Sequence, residues 1–386
     1  MKVIKNCKIV LDDKIIDGNI FIDNGKIHSI EKSLEHLCDE EIDAGGNYVS
    51  AGFIDIHTHG AMSFDFAESS TSEIAKAADF HMSHGTTSIL PTITASKKGV
   101  ILSALENIKA CKNEGLTSAN IIGAHLEGPY FSKEMCGAQN TEHITPPIKE
   151  DYEEIVKKYG EIISRWSYAP EHDPKGEFCR YITECKISAS AGHTMAKYDD
   201  MLTALNNGLK SVTHLYSCTS TITREQGFRK LGVIETAFLH DELYAEIIAD
   251  GKHLPPELIK LILKIKGPDK ICLVTDSLSV VGTSEKTGQI GGTEYIMEDG
   301  VCKLLDRSAF AGSIATADRL IRVCTKDVGI DLVQAVKMMT KTPADLLGLN
   351  KGRIEAGYDA DLVIFNENID ISLVMVNGNI TYKKCM

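Results

Sequence analysis

Six side chains that can bind a metal ion or carry a proton follow apolar segments of the sequence. They are His57 and His59 in GFIDIHTHG, Glu127, His193, His214 and Asp276. Residues i and i+2 of a strand share one face, so the two histidines of H-x-H can point together. Imidazole and carboxylate groups suit Zn²⁺, Fe²⁺ or Mn²⁺. Five such groups could hold one or two ions, although H-x-H alone is weak support among thirteen histidines.

The elements that would position these groups alternate along the middle of the chain. Eight strand-like segments, FIDIHTH, TTSILPTI, NIIGAHLEG, IISRWSYAPE, KISASAGHT, SVTHLYS, YAEIIADG and KICLVTDS, are separated by amphipathic stretches typical of helices. This pattern predicts a (β/α)8 barrel, with an open doubly wound sheet as the alternative. A barrel gathers functional side chains at the carboxyl ends of its strands, which is where the six residues fall.

The two ends of the chain have a different pattern. Short alternating segments fill residues 1 to 50, with Asp17-Gly18 and Asn24-Gly25 as turn signals, and similar segments with Asn377-Gly378 close the chain. Because chain termini often lie near each other, we expect a small β-sandwich built from both ends. The predicted division is residues 1–51 and 352–386 for this domain, and residues 52–351 for the barrel.

Composition limits the classes of function. The chain has 386 residues, 43% of them hydrophobic, and a formal net charge of −13, without a clustered basic patch that nucleic-acid binding would need. No window is long and apolar enough to predict a membrane span, and the first residues lack the features of a secretory signal. We therefore expect no nucleic-acid or membrane partner and a cytoplasmic protein. Eleven cysteines without a C-x-x-C pair indicate mostly reduced core residues.

The remaining histidines have simpler interpretations. His81 and His84 are three residues apart on a predicted helix, where surface or packing roles are favoured over a metal site. His125 stands two residues before Glu127 and shares its face, so we expect it to hold Glu127 and not the metal. Solvated or capping positions are predicted for the others, namely His28, His36, His143, His172 and His240.

Several motifs together resemble the amidohydrolase superfamily, and within it the N-acetylglucosamine-6-phosphate deacetylases. They are GFIDIHTHG, HLEGPY, AGHT, VTHLY, IADGKH, LVTDS and the closing GRIEAGYDADLVIF, and the resemblance runs nearly end to end. It implies a metal-dependent hydrolase that acts on an amide bond other than a peptide. The reaction would remove the acetyl group of N-acetylglucosamine 6-phosphate and release glucosamine 6-phosphate and acetate, in a cytoplasmic homodimer.

The resemblance also implies roles for individual residues. Glu127, His193 and His214 match the constant metal ligands, while His57 and His59 match a subset of members that can bind a second ion. One or two divalent ions per subunit are expected, zinc first, with iron or manganese as alternatives. Asp276 would take a proton from water and deliver it to the leaving amine, and His253 would polarise the acetyl carbonyl or contact the sugar.

Substrate contacts are implied at further positions. The implied phosphate contacts are Ala138, Gln139, Ser217, Cys218 and Arg224. Arg224 would reach the phosphate from the neighbouring subunit. The implied sugar contacts are His253, Phe310, Ala311 and Gly312. Ser217-Cys218 departs from the Asn-Ala pair usual in the family, and the stretch to Arg224 is one residue shorter. Gln139 replaces the His of some members.

These departures leave the substrate open. A deacetylase of an epimer such as N-acetylgalactosamine 6-phosphate is an alternative, and a non-catalytic amidohydrolase-like scaffold is a second. Cyclic amide hydrolases, which use a carboxylated lysine, and nucleoside deaminases are rivals that lack Glu127 in this motif. Retention of all candidate ligands together with Asp276 argues against the scaffold.

Overall fold

The structure is a computed structural model that describes residues 1–33 and 38–384. His36, expected to be solvated or capping, lies outside the described residues. Of its companions, His28 is exposed, and His143, His172 and His240 are partly exposed.

The described residues form the following elements. The strands are β1 (Lys2–Val10), β2 (Ile15–Asp23), β3 (Lys26–Glu31), β4 (Glu40–Asp43), β5 (Tyr48–Ala51), β6 (Phe53–Thr58), β7 (Gly60–Ala61), β8 (Phe64–Asp65), β9 (Thr86–Ile93), β10 (Asn120–Ile121), β11 (Ala124–Glu127), β12 (Ile163–Tyr168), β13 (Ser188–Ala191), β14 (Ser211–Val212), β15 (Thr223–Glu225), β16 (Phe228–Lys230), β17 (Tyr244–Ile247), β18 (Ile271–Leu273), β19 (Thr287–Ile290), β20 (Thr293–Glu298), β21 (Val301–Leu304), β22 (Phe310–Gly312), β23 (Leu362–Phe365), β24 (Ile371–Val376) and β25 (Asn379–Lys383). The α-helices are α1 (Thr71–Ser83), α2 (Lys98–Glu114), α3 (Lys149–Tyr159), α4 (Glu177–Glu184), α5 (Tyr198–Asn206), α6 (Val233–Leu239), α7 (Pro256–Lys266), α8 (Ala317–Arg322), α9 (Leu332–Met339) and α10 (Lys341–Leu347). A π-helix, Val323–Val328, continues α8.

Parallel strands form a barrel in the middle of the chain. Their spatial order is β6-β9-β11-β12-β13-β14-β17-β18, and an α-helix follows each of the first seven strands. The end of β18 returns to β6, because Asp276 N donates to His57 O at 2.9 Å and Thr275 Oγ1 donates to Asp55 Oδ2 at 2.6 Å. The predicted (β/α)8 barrel is therefore confirmed, and the doubly wound sheet is excluded. All eight predicted segments contain a barrel strand.

Burial explains why these segments form strands inside a layer of helices. Every residue of β6 and of β9 is buried, as expected for parallel strands covered on both faces. The helices bury one stripe each; α7, for example, turns Ile259 and Ile262 inward and leaves Leu261 and Ile265 exposed. The barrel thus fixes the carboxyl ends of its strands on one rim.

Strands from both chain ends form one sheet. Its order is β25-β24-β23-β5-β1-β2-β3, with β4 paired to β1, and it encloses an apolar cluster that includes Ile4, Ile20 and Leu362. The Asn24-Gly25 and Asn377-Gly378 turns are confirmed, since these four residues have positive φ. The sheet supports our proposal that residues 1–51 and 352–386 make a unit distinct from residues 52–351.

The turn predicted at Asp17-Gly18 is wrong. Both residues lie inside β2, where Gly18 pairs with Cys7 of β1, and the chain reverses instead where Leu11 N donates to Lys14 O. A Cβ at Gly18 would lie 3.3 Å from Glu31 O and from Ile9 Cδ1. This glycine therefore serves close packing within the sheet.

A second small sheet interrupts the barrel segment. Strands β19-β20-β21-β22 are antiparallel neighbours and lie between β18 and α8, inside the range predicted to contain only barrel elements. They return to the rim where Leu278 N donates to Ser313 O at 3.0 Å. This insertion was not predicted from the sequence, and its last strand lies at the rim of the barrel.

Two predictions from composition can be compared with the structure. In the described residues, no helix has the length and apolar character that a membrane crossing requires. Six of the cysteines are buried, namely Cys7, Cys111, Cys179, Cys272, Cys302 and Cys324, and the described cysteines are free thiols. The prediction that most cysteines are reduced core residues is confirmed for this part of the chain.

Candidate active site

The structure brings the six candidate residues together at the rim of the barrel. The Oε1 atom of Glu127 lies 3.0 Å from His214 Nε2, 3.2 Å from His193 Nε2 and 3.3 Å from His57 Nε2. Asp276 Oδ1 lies 3.1 Å from His59 Nε2 and 3.6 Å from His57 Nε2. Glu127 therefore lies at the centre of the cluster. His193 and His214 lie on one side of it, and His57, His59 and Asp276 lie on the other.

Hydrogen bonds outside the cluster fix the histidine rings. His193 Nδ1 donates to the carbonyl oxygen of Met135 at 2.9 Å, and His214 Nδ1 donates to that of Ser217 at 3.0 Å. A carbonyl oxygen can only accept, so the proton of each ring is on Nδ1. The Nε2 atoms consequently point at Glu127 with a lone pair available whenever the ring is neutral.

Strained backbone marks the ends of three strands. His193, His214 and Asp276 have φ values of +48°, +28° and +46°, in the left-handed region that non-glycine residues seldom adopt. Each is held by backbone hydrogen bonds, such as those from Ser217 N to His214 O at 2.8 Å and from Asp276 N to His57 O at 2.9 Å. Strain of this kind concentrates at functional sites, where it aims side chains that regular strands could not.

The cluster fits a divalent metal ion. Two groups have ligand atoms within 4.8 Å of one another, His57 with His59 and Asp276, and Glu127 with His193 and His214. Within the described part of the chain, the buried Nε2 of His57 has no hydrogen-bond partner. Nitrogen and carboxylate donors in this arrangement suit zinc, iron or manganese. These residues could therefore hold one or two ions.

The ionisation of the cluster also favours a cation. Burial by itself lowers the pKa of an imidazole, but the carboxylates of Glu127 and Asp276 outweigh it and raise the pKa of His57 to about 10. Burial likewise opposes ionisation of Glu127, yet His57, His193 and His214 hold its pKa well below the usual range. The pKa of Asp276 is lowered too, because His57 and His59 outweigh its burial. The carboxylates are ionised at neutral pH, so a metal would replace protons on the rings.

A cavity of about 200 Å³ opens over the cluster. Its lining contains most of the residues predicted from the sequence, namely His59, Glu127, Ala138, Gln139, His193, His214, Ser217, Cys218, His253, Asp276, Phe310, Ala311 and Gly312. His57 is fully buried against them. Apolar Phe310 comes from the inserted sheet, so that sheet forms one wall of the cavity.

Arg224 is the predicted site residue that the structure does not bring to the cavity. It lies on the exposed hairpin of β15 and β16, opposite Arg229. Arg224 is not among the residues that line the cavity. The backbone N–H of Ser217 donates to His214 O at 2.8 Å, so a phosphate contact at Ser217 would use another atom.

Gln139 has a structural contact that its sequence position did not indicate. Its Nε2 donates to Glu127 Oε2 at 2.6 Å, and its Oε1 accepts from Ala95 N at 2.8 Å. The amide thus clamps the central carboxylate. The substrate contact predicted for Gln139 would use a side chain that already holds Glu127.

His253 has a partner that sequence reasoning missed. Its Nδ1 lies 2.9 Å from Oδ2 of Asp250, and the other oxygen of Asp250 accepts from Lys252 N and His253 N, each at 2.9 Å. Asp250 is fully buried and its pKa is lowered, because His253 outweighs the effect of burial. The available signal was its place within IADGKH, just after a barrel strand.

Two other histidine predictions can be assessed. His81 is buried in α1 and its Nε2 bonds to Gly60 O at 2.9 Å, so the packing role is confirmed. His125 faces the same way as Glu127, but its ring nitrogens bond to Thr92 Oγ1 at 3.2 Å and Ser167 Oγ at 2.7 Å. The expectation that His125 holds Glu127 is wrong, because both of its ring nitrogens bond to these hydroxyl groups and not to the Glu127 carboxylate.

Comparison with known proteins identifies relatives along the whole chain. The model of the Amidohydrolase family matches residues 48–381. N-acetylglucosamine-6-phosphate deacetylase of Bacillus subtilis is 32% identical, over 98% of this chain and 97% of its own. The human protein of that name is 27% identical over 98% and 95%. The crystal structure of N-acetylglucosamine-6-phosphate deacetylase from Pasteurella multocida has a TM-score of 0.92 at 27% identity, covering 99% of this chain and all of that one.

Proposed function

The chain belongs to the amidohydrolase family, and we propose that it removes the acetyl group from N-acetylglucosamine 6-phosphate to give glucosamine 6-phosphate and acetate. The observation that carries the proposal is the meeting of Glu127, His193 and His214 with Asp276 under one small cavity. The relatives of that name span nearly the full length of the chain.

The residues that would hold metal are Glu127 and the four histidines around it. His57, His59, Glu127, His193 and His214 supply five donors for one or two ions, with zinc first and iron or manganese as alternatives. Such an ion supplies Lewis acidity, which makes water nucleophilic near neutral pH and polarises an acyl oxygen.

Asp276 is the proton carrier in this proposal. It lines the cavity, and its described contacts with His57 and His59 use Oδ1. The carboxylate is ionised, so it can accept a proton from the attacking water and return it to the nitrogen of the leaving amine. An amine leaves poorly unless it is protonated, so one carboxylate serves both steps.

His253 faces the same cavity and would act on the acetyl oxygen. Because Nδ1 is committed to Asp250, Nε2 is the ring atom available to a substrate. A proton on Nε2 would be donated to the acetyl oxygen and would stabilise the negative charge that develops there. The ring of Phe310 lies edge-on to that of His253, with 5.0 Å between the ring centroids.

The phosphate and the quaternary structure belong to the same proposal. Cys218, with φ of +50°, and Ala138 line the cavity, and Arg224 stands on a hairpin whose residues are all exposed. In a homodimer this hairpin would bring Arg224 to the neighbouring cavity, where its guanidinium can bind phosphate oxygens in a bidentate manner. We further propose a cytoplasmic location.

The experiment is acetate release measured on a panel of substrates. Metal-replete protein would be assayed with N-acetylglucosamine 6-phosphate, its galactosamine epimer and unphosphorylated N-acetylglucosamine, with elemental analysis of the same sample. We expect the first substrate to give the highest kcat/KM. Higher kcat/KM on the epimer would select the alternative substrate. A metal-loaded protein that releases no acetate would favour a non-catalytic scaffold.

A further inference from the structure

A charged pair lies inside the barrel beneath the candidate metal ligands. Glu246 on β17 and Arg165 on β12 are both fully buried, and Glu246 Oε1 forms an ion pair with Arg165 Nη2. Barrel interiors are usually filled by branched apolar side chains. The proposed reaction uses neither residue, so their presence needs another explanation.

Hydroxyl groups on neighbouring strands hold the arginine. Arg165 Nη2 donates to Ser190 Oγ at 2.7 Å and to Thr213 Oγ1 at 3.0 Å, and these two oxygens lie 2.7 Å apart. Among the described residues, Nε and Nη1 of Arg165 have no hydrogen-bond partner. A buried ion pair adds little to the free energy of folding, and it adds less when some of its N–H donors lack partners. A contribution to stability therefore explains this pair poorly.

The other oxygen of Glu246 reaches a candidate metal ligand. Its Oε2 lies 3.3 Å from Nδ1 of His57, while Nε2 of the same ring lies 3.3 Å from Glu127 Oε1 and 3.6 Å from Asp276 Oδ1. The ring Nδ1 atoms of His193 and His214 bond instead to neutral backbone carbonyls, although the backbone N–H of His214 also donates to Glu246 Oε2 at 3.5 Å. His57 therefore has a carboxylate on each side of its ring. Its Nε2 faces Glu127 and Asp276 in the candidate site, and its Nδ1 faces Glu246 behind the site.

We propose that Glu246, fixed by Arg165, is a positioning residue that keeps a proton on Nδ1 of His57 and so presents Nε2 to a metal ion. A carboxylate behind a ligating imidazole fixes its tautomer and strengthens it as a donor, and losing such a partner typically lowers metal affinity about 10–100-fold. The inference rests on the proposed metal dependence. It assigns to Glu246 the retention of the ion that His57 and His59 would hold.

Two variants separate positioning from packing. Glu246→Gln removes the charge and keeps the shape. The double variant Arg165→Met with Glu246→Leu removes both charges, so no unpaired ion is left in the interior. Ser190→Ala is the matched control, because it removes one contact of Arg165 and leaves Glu246 against His57.

The measurements need no sugar substrate. Metal-free proteins would be titrated with Zn²⁺ and Mn²⁺ against a chromophoric chelator, the His57 tautomer would be followed by long-range ¹H–¹⁵N NMR of ¹⁵N-histidine-labelled chains, and urea unfolding would report stability. We expect Glu246→Gln and the double variant to weaken the ion associated with His57 about 10–100-fold, with the Nδ1–H form of His57 lost in the double variant. Ser190→Ala should match the wild type.

Different results would overturn this inference and the proposed function. If the double variant folds stably and keeps wild-type metal affinity and tautomer, Glu246 is structural and the inference fails. Lower unfolding stability with unchanged metal affinity in Glu246→Gln leads to the same conclusion. If the wild-type chain binds neither metal, the proposed metal dependence itself fails.

Discussion

Replacement of Asp276 by Asn isolates the proton carrier from the rest of the site. Asn tolerates the left-handed backbone, so the φ of +46° at this position should not strain the variant. His57, His59 and Glu127 are unchanged, so metal binding should persist. The change therefore removes a base and leaves the fold and the other ligands in place.

The expected loss follows from the surroundings of Asp276. It is 9% exposed, and the nearby Glu127 cannot substitute for it, because Oε2 receives the Gln139 amide and Oε1 lies among three histidines. General acid–base catalysis typically contributes about 10²–10⁴-fold, and here both proton transfers depend on one group. We therefore expect kcat to fall about 10³–10⁴-fold, which corresponds to about 4–5 kcal/mol in activation free energy.

The assay is acetate release by wild type and variant at equal metal content, with urea unfolding of the same samples. Ser277→Ala is the control, since it changes the adjacent residue, whose buried hydroxyl has no hydrogen-bond partner among the described residues. It should retain wild-type turnover. A kcat of Asp276→Asn within about threefold of wild type would refute the proton-carrier role. Loss of metal in step with activity would make Asp276 a ligand instead.

Two further predictions concern the hairpin and a buried histidine. Arg224→Ala should raise KM for phosphorylated substrate with kcat little changed, while Lys230→Ala, on the opposite face of the same hairpin, should not; equal losses on unphosphorylated sugar would make Arg224 structural. Burial lowers the pKa of His81 to about 4. Between pH 4 and about pH 6.5, His81 is protonated in the unfolded chain but not in the folded chain. The free energy of unfolding is therefore highest above pH 6.5 and falls as the pH decreases. In urea unfolding, the free energy of unfolding should fall by about 2 kcal/mol between pH 7 and pH 5. This decrease should be absent in His81→Gln and present in His28→Gln, the exposed-site control. An unchanged pH dependence in His81→Gln would contradict this assignment.

The arrangement of elements could be predicted from the sequence because it depends on local patterns. Apolar segments of strand length alternate with amphipathic helical stretches, and a chemically useful side chain follows five of the eight segments, from His57 to Asp276. Parallel strands in a barrel end on one rim, so their last residues must converge. For this reason the sequence alone predicts that Glu127, His193 and His214 lie together.

The contacts that fix each side chain could not be predicted, because they join strands distant in sequence or depend on the path of a loop. Glu246 meets His57 across 189 positions, and Gln139 closes on Glu127 through a loop whose path follows no periodicity. The strand period indicates which residues face inward, but closure of the barrel decides which inward residues touch. The sequence by itself determined which chemical groups the rim carries. Only the tertiary structure decided which nitrogen of each histidine faces the centre, since that depends on the acceptor behind each ring.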